Sequence, residues 1–187
     1  RCNLFGHFKF VQNLTQFDRY HALTVGQHTL KALTTLKELK NNKNSKGLYG
    51  FSKMIFMKNF SKKPLFYATL LHDVGKGLGG DHNLKGAEIA RKIVLELDES
   101  EYVAYETSWL IENHLILSDF AFKKDIEDDS IIKKISETIY TKDRLNALFL
   151  LTVSDISAVD HGIWNEWKAN LLESLYKKIQ EEINIPK

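Results

Sequence analysis

Residues 68–90, ATLLHDVGKGLGGDHNLKGAEIA, place ligand-type side chains directly against an apolar run. The stretch begins as a segment that a hydrophobic core would bury, yet it continues into His72 and Asp73. A glycine-rich loop follows, and after it a second pair of the same kind, Asp81 and His82. Because an unpaired buried carboxylate or imidazole is costly, these side chains need partners of their own. The stretch therefore predicts a polar site set into a helical core.

The pattern on both sides of this stretch is helical. Residues 64–74 and 143–159 are apolar nearly all round, which predicts two buried central helices. Apolar residues recur at three- and four-residue steps from Thr24 onward, in 86–97, in 101–115 and along the last twenty residues, which predicts amphipathic helices around them. There is no repeat and no convincing strand pair. The expected fold is an all-α helical bundle.

We interpret residues 1–187 as a single domain, with 1–23 as a leading segment that contains one short helix. The chain begins with Arg1 rather than Met, so we expect it to be a piece of a longer multidomain protein.

Composition narrows the class of function. A net charge of +2 does not favour a nucleic-acid or membrane surface, and no apolar stretch has the length of a membrane span. The single cysteine, Cys2, excludes an internal disulfide framework and fits a reducing cytoplasm, where we expect the protein to reside.

Several polar residues occupy positions where the helical pattern calls for apolar ones: His28, His72, Asp73, His114 and Asp155. One buried histidine alone is usually structural, but five such residues in four helical segments would be satisfied together by a divalent cation. Imidazole and carboxylate ligands without a thiolate suit Mn²⁺, Fe²⁺, Zn²⁺ or Co²⁺, and Mg²⁺ less well. His82 and His114 could hold a second ion, with Asp73 as the bridging ligand.

The order and spacing of these residues, with the sequence HDVGK at 72–76, resemble the HD-domain superfamily of metal-dependent phosphohydrolases. The resemblance implies that His28, His72, Asp73 and Asp155 are metal ligands. It also implies that His82 and His114 complete a second site.

Longer stretches over about residues 15–176, among them YHALTVGQHTL and LLHDVGKGLGGDH, look like the central HD domain of bacterial PII uridylyltransferase/uridylyl-removing enzymes. That likeness implies hydrolysis of UMP from a uridylylated tyrosine of the PII nitrogen-signalling protein, and the nucleotidyltransferase half of such enzymes is absent from this chain. Two alternatives stay open: an HD-type nucleotide phosphohydrolase acting on free dNTP or (p)ppGpp, and a non-catalytic regulatory HD module.

We expect Asp73, Lys76 and Asp81 to be the catalytic residues. Lys76 is interpreted either as a charge on the phosphoryl oxygens or as a cation near a helix C-terminus. Asp81 either orients a ligand histidine or the attacking water, or is a turn residue. Trp167 lies at helical spacing from Leu171, which favours a core position over a platform for a uracil ring.

Overall fold

The fold is built from α-helices, with no β-strand among the residues that the computed structural model describes, which are 24–41, 47–159 and 164–185. The predicted all-α class is therefore confirmed, while the predicted helix within 1–23 lies outside the described residues. The helices are α1 (Val25–Asn41), α2 (Gly47–Phe56), α3 (Lys63–Leu71), α4 (His82–Glu96), α5 (Glu101–Glu112), α6 (Ile116–Lys123), α7 (Asp129–Ile139), α8 (Lys142–Ala158) and α9 (Glu166–Asn184).

Short polar side chains fix where several of these helices begin. Ser100, Asp128, Thr141 and Asn165 each accept a hydrogen bond from a backbone amide in the first turn of α5, α7, α8 and α9. Such caps satisfy amides that have no partner within the helix. They fix the residue at which each helix begins, and therefore where along the helix each of its side chains lies.

Helix α8 is the centre of the bundle. It packs against α1, α2, α3, α5, α6, α7 and α9. The residues from Leu145 to Ser154 are all buried, as the sequence predicts for a segment that is apolar nearly all round. Helix α3, the second predicted central helix, packs against α1, α4, α5 and α8 but leaves Phe66 54% exposed. The side chain of Asp155 is carried on the central helix close to its C-terminal end.

The chain leaves α3 earlier than the sequence indicates. Helix α3 ends at Leu71, and its C-cap is His72 rather than a residue near position 74. The turn that follows is held by amide-to-carbonyl bonds of the tight three-residue type, from Val74 to Leu71 and from Lys76 to Asp73. His72 and Asp73 therefore project from a tight turn at the end of a buried helix.

That turn lies directly against the backbone of α4. A Cβ atom at Gly75 would overlap the carbonyl oxygen of His82 and lie 2.6 Å from the amide nitrogen of Gly86. Gly86 in turn faces Ile111 of α5, which packs along α4. Glycine at position 75 is therefore what allows the turn with His72 and Asp73 to sit directly on α4.

No helix in the described ranges combines the length and the apolar character that a bilayer crossing needs.

Candidate metal centre

Four side chains from three separate parts of the chain meet at one point. His28 comes from the first turns of α1, His72 and Asp73 from the turn after α3, and Asp155 from α8. The Nε2 atom of His28 lies 2.7 Å from Oδ1 of Asp155 and 3.2 Å from Nε2 of His72. Oδ2 of Asp73 is 3.9 Å from the His28 nitrogen and 3.5 Å from the His72 nitrogen. Both carboxylates therefore face the same pair of imidazole nitrogens.

The backbone orients two of the histidine rings. Nδ1 of His72 donates to the carbonyl oxygen of Thr69 at 3.0 Å, and Nδ1 of His114 donates to the carbonyl oxygen of Ile111 at 2.6 Å. A carbonyl oxygen can only accept, so Nδ1 carries the proton and Nε2 is left to face the cluster or a ligand. This is the arrangement in which metal-binding histidines are usually held. The His114 ring lies edge-on to the His72 ring, with 5.6 Å between their centroids.

Asp73 provides the clearest test of whether a metal fits. Its side chain is 2% exposed, and Oδ2 accepts a hydrogen bond from Nζ of Lys76 at 2.7 Å. Oδ1 is buried and has no hydrogen-bond partner within the described part of the chain. Leaving a buried carboxylate oxygen unsatisfied is costly, and a cation would remove that cost.

The donor set also fits a divalent ion. One ligand atom each from His28, His72 and Asp73 lies within 4.8 Å of the other two, and all three residues are buried. Asp155 adds a carboxylate oxygen beside both histidines. Mixed imidazole and carboxylate ligands suit Mn²⁺, Fe²⁺, Zn²⁺ or Co²⁺. The residues could therefore hold one such ion, with its coordination completed by water or by substrate oxygens.

The electrostatics show how the buried charges are balanced without a metal. Burial disfavours a charged imidazole at His72, but the adjacent Asp73 and Asp155 carboxylates outweigh burial and raise its pKa to about 9. Burial also opposes ionisation of Asp155, yet hydrogen bonds from His28 and His72 hold its pKa well below the usual range. A proton on His72 thus supplies positive charge at the place where a metal ion would supply more.

The pKa values of the two remaining shifted groups of the cluster, Asp73 and His114, are both lowered. Burial raises the pKa of Asp73, but the charges of His72 and Lys76 prevail and lower it. For His114, burial and then the charge on His72 lower the pKa, so this ring is neutral near pH 7. A neutral imidazole with Nδ1–H directed at a carbonyl keeps an Nε2 lone pair for a ligand.

The cluster has an open side. Asp155 is 19% exposed and Lys76 is 25% exposed, whereas His28, His72 and Asp73 are almost fully buried. The side of the cluster that carries Asp155 and Lys76 is therefore the one nearest to solvent.

The second predicted pair, Asp81 and His82, lies at the start of α4. Asp81 is the N-cap of α4, and its Oδ1 accepts from the amides of Asn83 and Leu84 at 3.0 and 3.2 Å. His82 is the first residue of the helix and is half-buried. In the described chain, no hydrogen bond, ion pair or ring contact joins the His82 side chain to the cluster. A second ion at His82 and His114, and a catalytic role for Asp81, stay predictions.

Sequence reasoning missed the groups that orient the site. The carbonyl oxygens of Thr69 and Ile111 each lie three residues before the histidine that they fix. The close approach of Gly75 to Gly86 was equally hidden. Backbone carbonyls carry no sequence signal, although glycines at 75 and 86 in a ligand-bearing stretch could have indicated a contact between two backbones.

The prediction for Trp167 was wrong. Its side chain is 62% exposed, while the neighbouring Leu172 is fully buried. It lines a surface groove of about 440 Å³ between α9 and the segment that joins α6 to α7.

Comparison with known proteins agrees with this geometry. The sequence profile of the HD domain matches residues 25–155. A bifunctional uridylyltransferase/uridylyl-removing enzyme from Azospirillum brasilense is 41% identical over 170 residues, which is 89% of this chain and 18% of that protein.

Proteins of the same name show similar coverage in two other bacteria. The enzyme of Zymomonas mobilis is 40% identical over 87% of this chain and 17% of its own length. The enzyme of Neisseria meningitidis serogroup B is 38% identical over 89% of this chain and 19% of its own length. The chain thus spans less than a fifth of the length of these relatives.

Proposed function

The chain belongs to the HD-domain family, and we propose that it is a metal-dependent phosphodiesterase that removes UMP from a uridylylated tyrosine of a PII-type signalling protein. The observation that carries the proposal is the convergence of His28, His72, Asp73 and Asp155 on one buried point that is open on one side. This arrangement supports the coarser assignment, a phosphohydrolase of the HD type, directly. The uridylyl group and the PII protein are the finer part of the proposal.

We assign His28, His72, Asp73 and Asp155 as the ligands of one divalent ion. Such an ion would supply an activated water as the nucleophile and would neutralise charge on the phosphoryl oxygens. His114, with its neutral ring beside His72, is the nearest candidate for a further ligand. His82 would have to turn toward the cluster to take part.

In the proposed reaction, water oxygen bonds to phosphorus and the bond from phosphorus to the tyrosine oxygen breaks. UMP leaves, and the tyrosine oxygen takes up a proton and becomes a phenol. A tyrosine phenol has a pKa of about 10, so its oxygen leaves without a strong general acid. This suits a centre where Lys76 contacts Asp73 and where, among the described residues, only Asp73 and Asp155 have carboxylates paired with the clustered histidines.

Lys76 has a defined part in this scheme. Its ammonium group lies 2.7 Å from Asp73 Oδ2 and is a quarter exposed at the open side of the cluster. It can hold Asp73 in place and, from the same position, face the non-bridging oxygens of a bound phosphodiester. We therefore assign Lys76 to charge stabilisation rather than to proton transfer.

The substrate assignment is supported by the printed names of the relatives, which include a uridylyl-removing activity. Those proteins are at least five times longer than the matched segment, so the activity of the isolated chain is itself part of the proposal. The turn and loop from 75 to 80 contain four glycines at the edge of the site, which leaves room for a substrate that is carried on a protein surface.

The test is a side-by-side assay of the Mn²⁺-loaded chain. We expect release of UMP from uridylylated PII to be much faster than hydrolysis of dNTPs or (p)ppGpp at equal enzyme concentration. Preference for a free nucleotide would move the assignment to a nucleotide phosphohydrolase. Metal binding without turnover of any of these substrates would support a regulatory HD module instead.

A further inference from the structure

The loop that follows the HD turn is held by a single side chain from α4. Lys85 Nζ donates to the carbonyl oxygen of Leu78 at 3.0 Å and to that of Gly79 at 2.6 Å. Both bonds are between an ammonium group and a backbone carbonyl, and bonds of this charge-assisted kind are stronger than neutral ones. Lys85 thus ties the outer part of the loop to the first turn of the next helix.

Little else fixes this part of the loop. Among the described residues, the one backbone hydrogen bond from an amide of this loop runs from Leu78 to the carbonyl oxygen of Gly75 at 3.3 Å. Gly77, Gly79 and Gly80 all have left-handed φ angles of 67–80°. Glycine can adopt many other backbone conformations. A loop with three glycines in four residues therefore loses much conformational entropy when it is held in one conformation.

The loop is placed where it can affect the reaction. It begins one residue after Lys76, which contacts Asp73, and it ends at Asp81, the cap of α4. Its only large side chain is Leu78, which is 46% exposed. An exposed leucine on an otherwise glycine-rich loop offers an apolar contact to an approaching polypeptide, whereas a free nucleotide would gain little from it.

We propose that Lys85 is a positioning residue that holds the 77–80 loop in one conformation, so that Leu78 contacts the polypeptide that carries the scissile phosphodiester. The inference rests on the proposed function for its substrate and adds a determinant of specificity for protein-borne esters. Lys85 acts through the loop and does not touch the reacting atoms. Its loss should therefore weaken binding of a protein substrate and leave the chemistry at phosphorus unchanged.

The test compares two substrates of the Mn²⁺-loaded chain, uridylylated PII and the p-nitrophenyl ester of UMP. Both release UMP from a phenolic oxygen, but the ester has no polypeptide. For Lys85→Met we expect KM for uridylylated PII to rise about tenfold, because both solvent-exposed bonds from Nζ to the loop carbonyls are lost, with kcat changed less than about twofold. Hydrolysis of the ester should stay as in the wild type.

Three further variants sharpen the comparison. Leu78→Ser should raise KM for the protein substrate in the same way, because it removes the contact that the loop presents. Lys85→Arg should restore most of the affinity, since a guanidinium group can donate to both carbonyls. Lys92→Met is the matched control, because Lys92 is an exposed lysine further along the same helix, and it should have no effect.

Hydrogen exchange of the loop amides provides a readout that does not depend on activity. Lys85→Met should speed exchange of the Leu78 amide, which bonds to the carbonyl oxygen of Gly75, by about tenfold, and Lys92→Met should not. Unchanged exchange, or an equal loss of activity on both substrates, would overturn the proposal. A wild-type chain that cleaves the ester but not uridylylated PII would refute both the PII assignment and the contact of Leu78 with the substrate protein. The exchange data would still test separately whether Lys85 stabilises the conformation of the loop.

Discussion

The stability of the metal-free chain should fall as the pH rises from 7 to 9.5. The pKa of His72 is about 9 in the folded chain, against about 6.5 when the chain is unfolded. A group whose pKa is raised by folding contributes stability that is fully present below its unfolded pKa and is lost as the pH passes through the folded pKa. When no metal is bound, the imidazolium of His72 balances the negative charge of Asp73 and Asp155 together with Lys76.

The size of the effect follows from the two pKa values. Moving from pH 7 to 9.5 crosses most of the interval, which corresponds to roughly 2 kcal/mol of unfolding free energy. For a chain of this length, that is a fall in Tm of about 4–8 °C. The measurement is thermal unfolding, followed by circular dichroism, in a chelator at a series of pH values.

Other groups also titrate in this range, and their effect on stability can be distinguished from that of His72. His72→Gln should remove most of the slope, because it removes the titrating group. Lys58 has a pKa lowered by burial, and a lowered lysine pKa makes stability rise with pH, so it cannot produce the expected loss. With saturating Mn²⁺ the loss of stability between pH 7 and 9.5 should disappear, because a metal-bound His72 carries no Nε2 proton that could be lost. A flat or rising Tm in chelator, or an unchanged slope in His72→Gln, would refute the reasoning.

Three further predictions concern the metal and the turn that carries it. A chelator should lower the Tm at pH 7.5 and Mn²⁺ should restore it, which differential scanning calorimetry will detect; identical curves would argue against metal binding under those conditions. Asp73→Ala should abolish UMP release, whereas Lys76→Met should slow it by roughly 10²-fold, and near-normal turnover by Asp73→Ala would contradict the ligand assignment. Gly75→Ala should destabilise the fold by about 1–3 kcal/mol and weaken Mn²⁺ binding in a calorimetric titration, because its Cβ has no room against α4. Gly79→Ala adds a Cβ that meets nothing within 4 Å but strains a residue with φ of 68°, so it should cost about 1–2 kcal/mol of stability and leave Mn²⁺ affinity unchanged.

The central part of the fold could be predicted because its signals are local. Helix α8 was expected over 143–159 and is found at Lys142–Ala158, since an unbroken apolar stretch allows little else. The start of α4 was placed at residue 86 but lies at His82. The reason is that Asp81 caps the helix with its side chain, and an Asp-His pair next to a glycine loop looks equally suited to a metal site and to a turn.

Surface positions were harder to predict, because helical spacing says which residues share a face but not which faces are covered. Trp167 lies one helical turn before Leu171, which packs against the core, yet α9 leaves Trp167 at the edge of a groove. Whether a face is covered depends on where α6 and α7 lie, and those positions are set by contacts between segments far apart in the sequence.

The candidate metal centre could be recognised in the sequence because its side chains are costly to bury alone. The same cost explains why they need a compensating positive charge in the structure. His28, His72, Asp73 and Asp155 stand out because a core does not accept such side chains singly, and each would be costly to bury alone. Burial on four separate sites would need four separate compensations, whereas the structure brings all of them to one point beside the central helix. Positive charge at that one point then compensates the four buried groups: the proton on His72 in the metal-free chain, or a divalent ion when one is bound. His82 lacks this signature because it lies at a helix start that solvent already reaches, so its burial gives no reason for it to join the cluster.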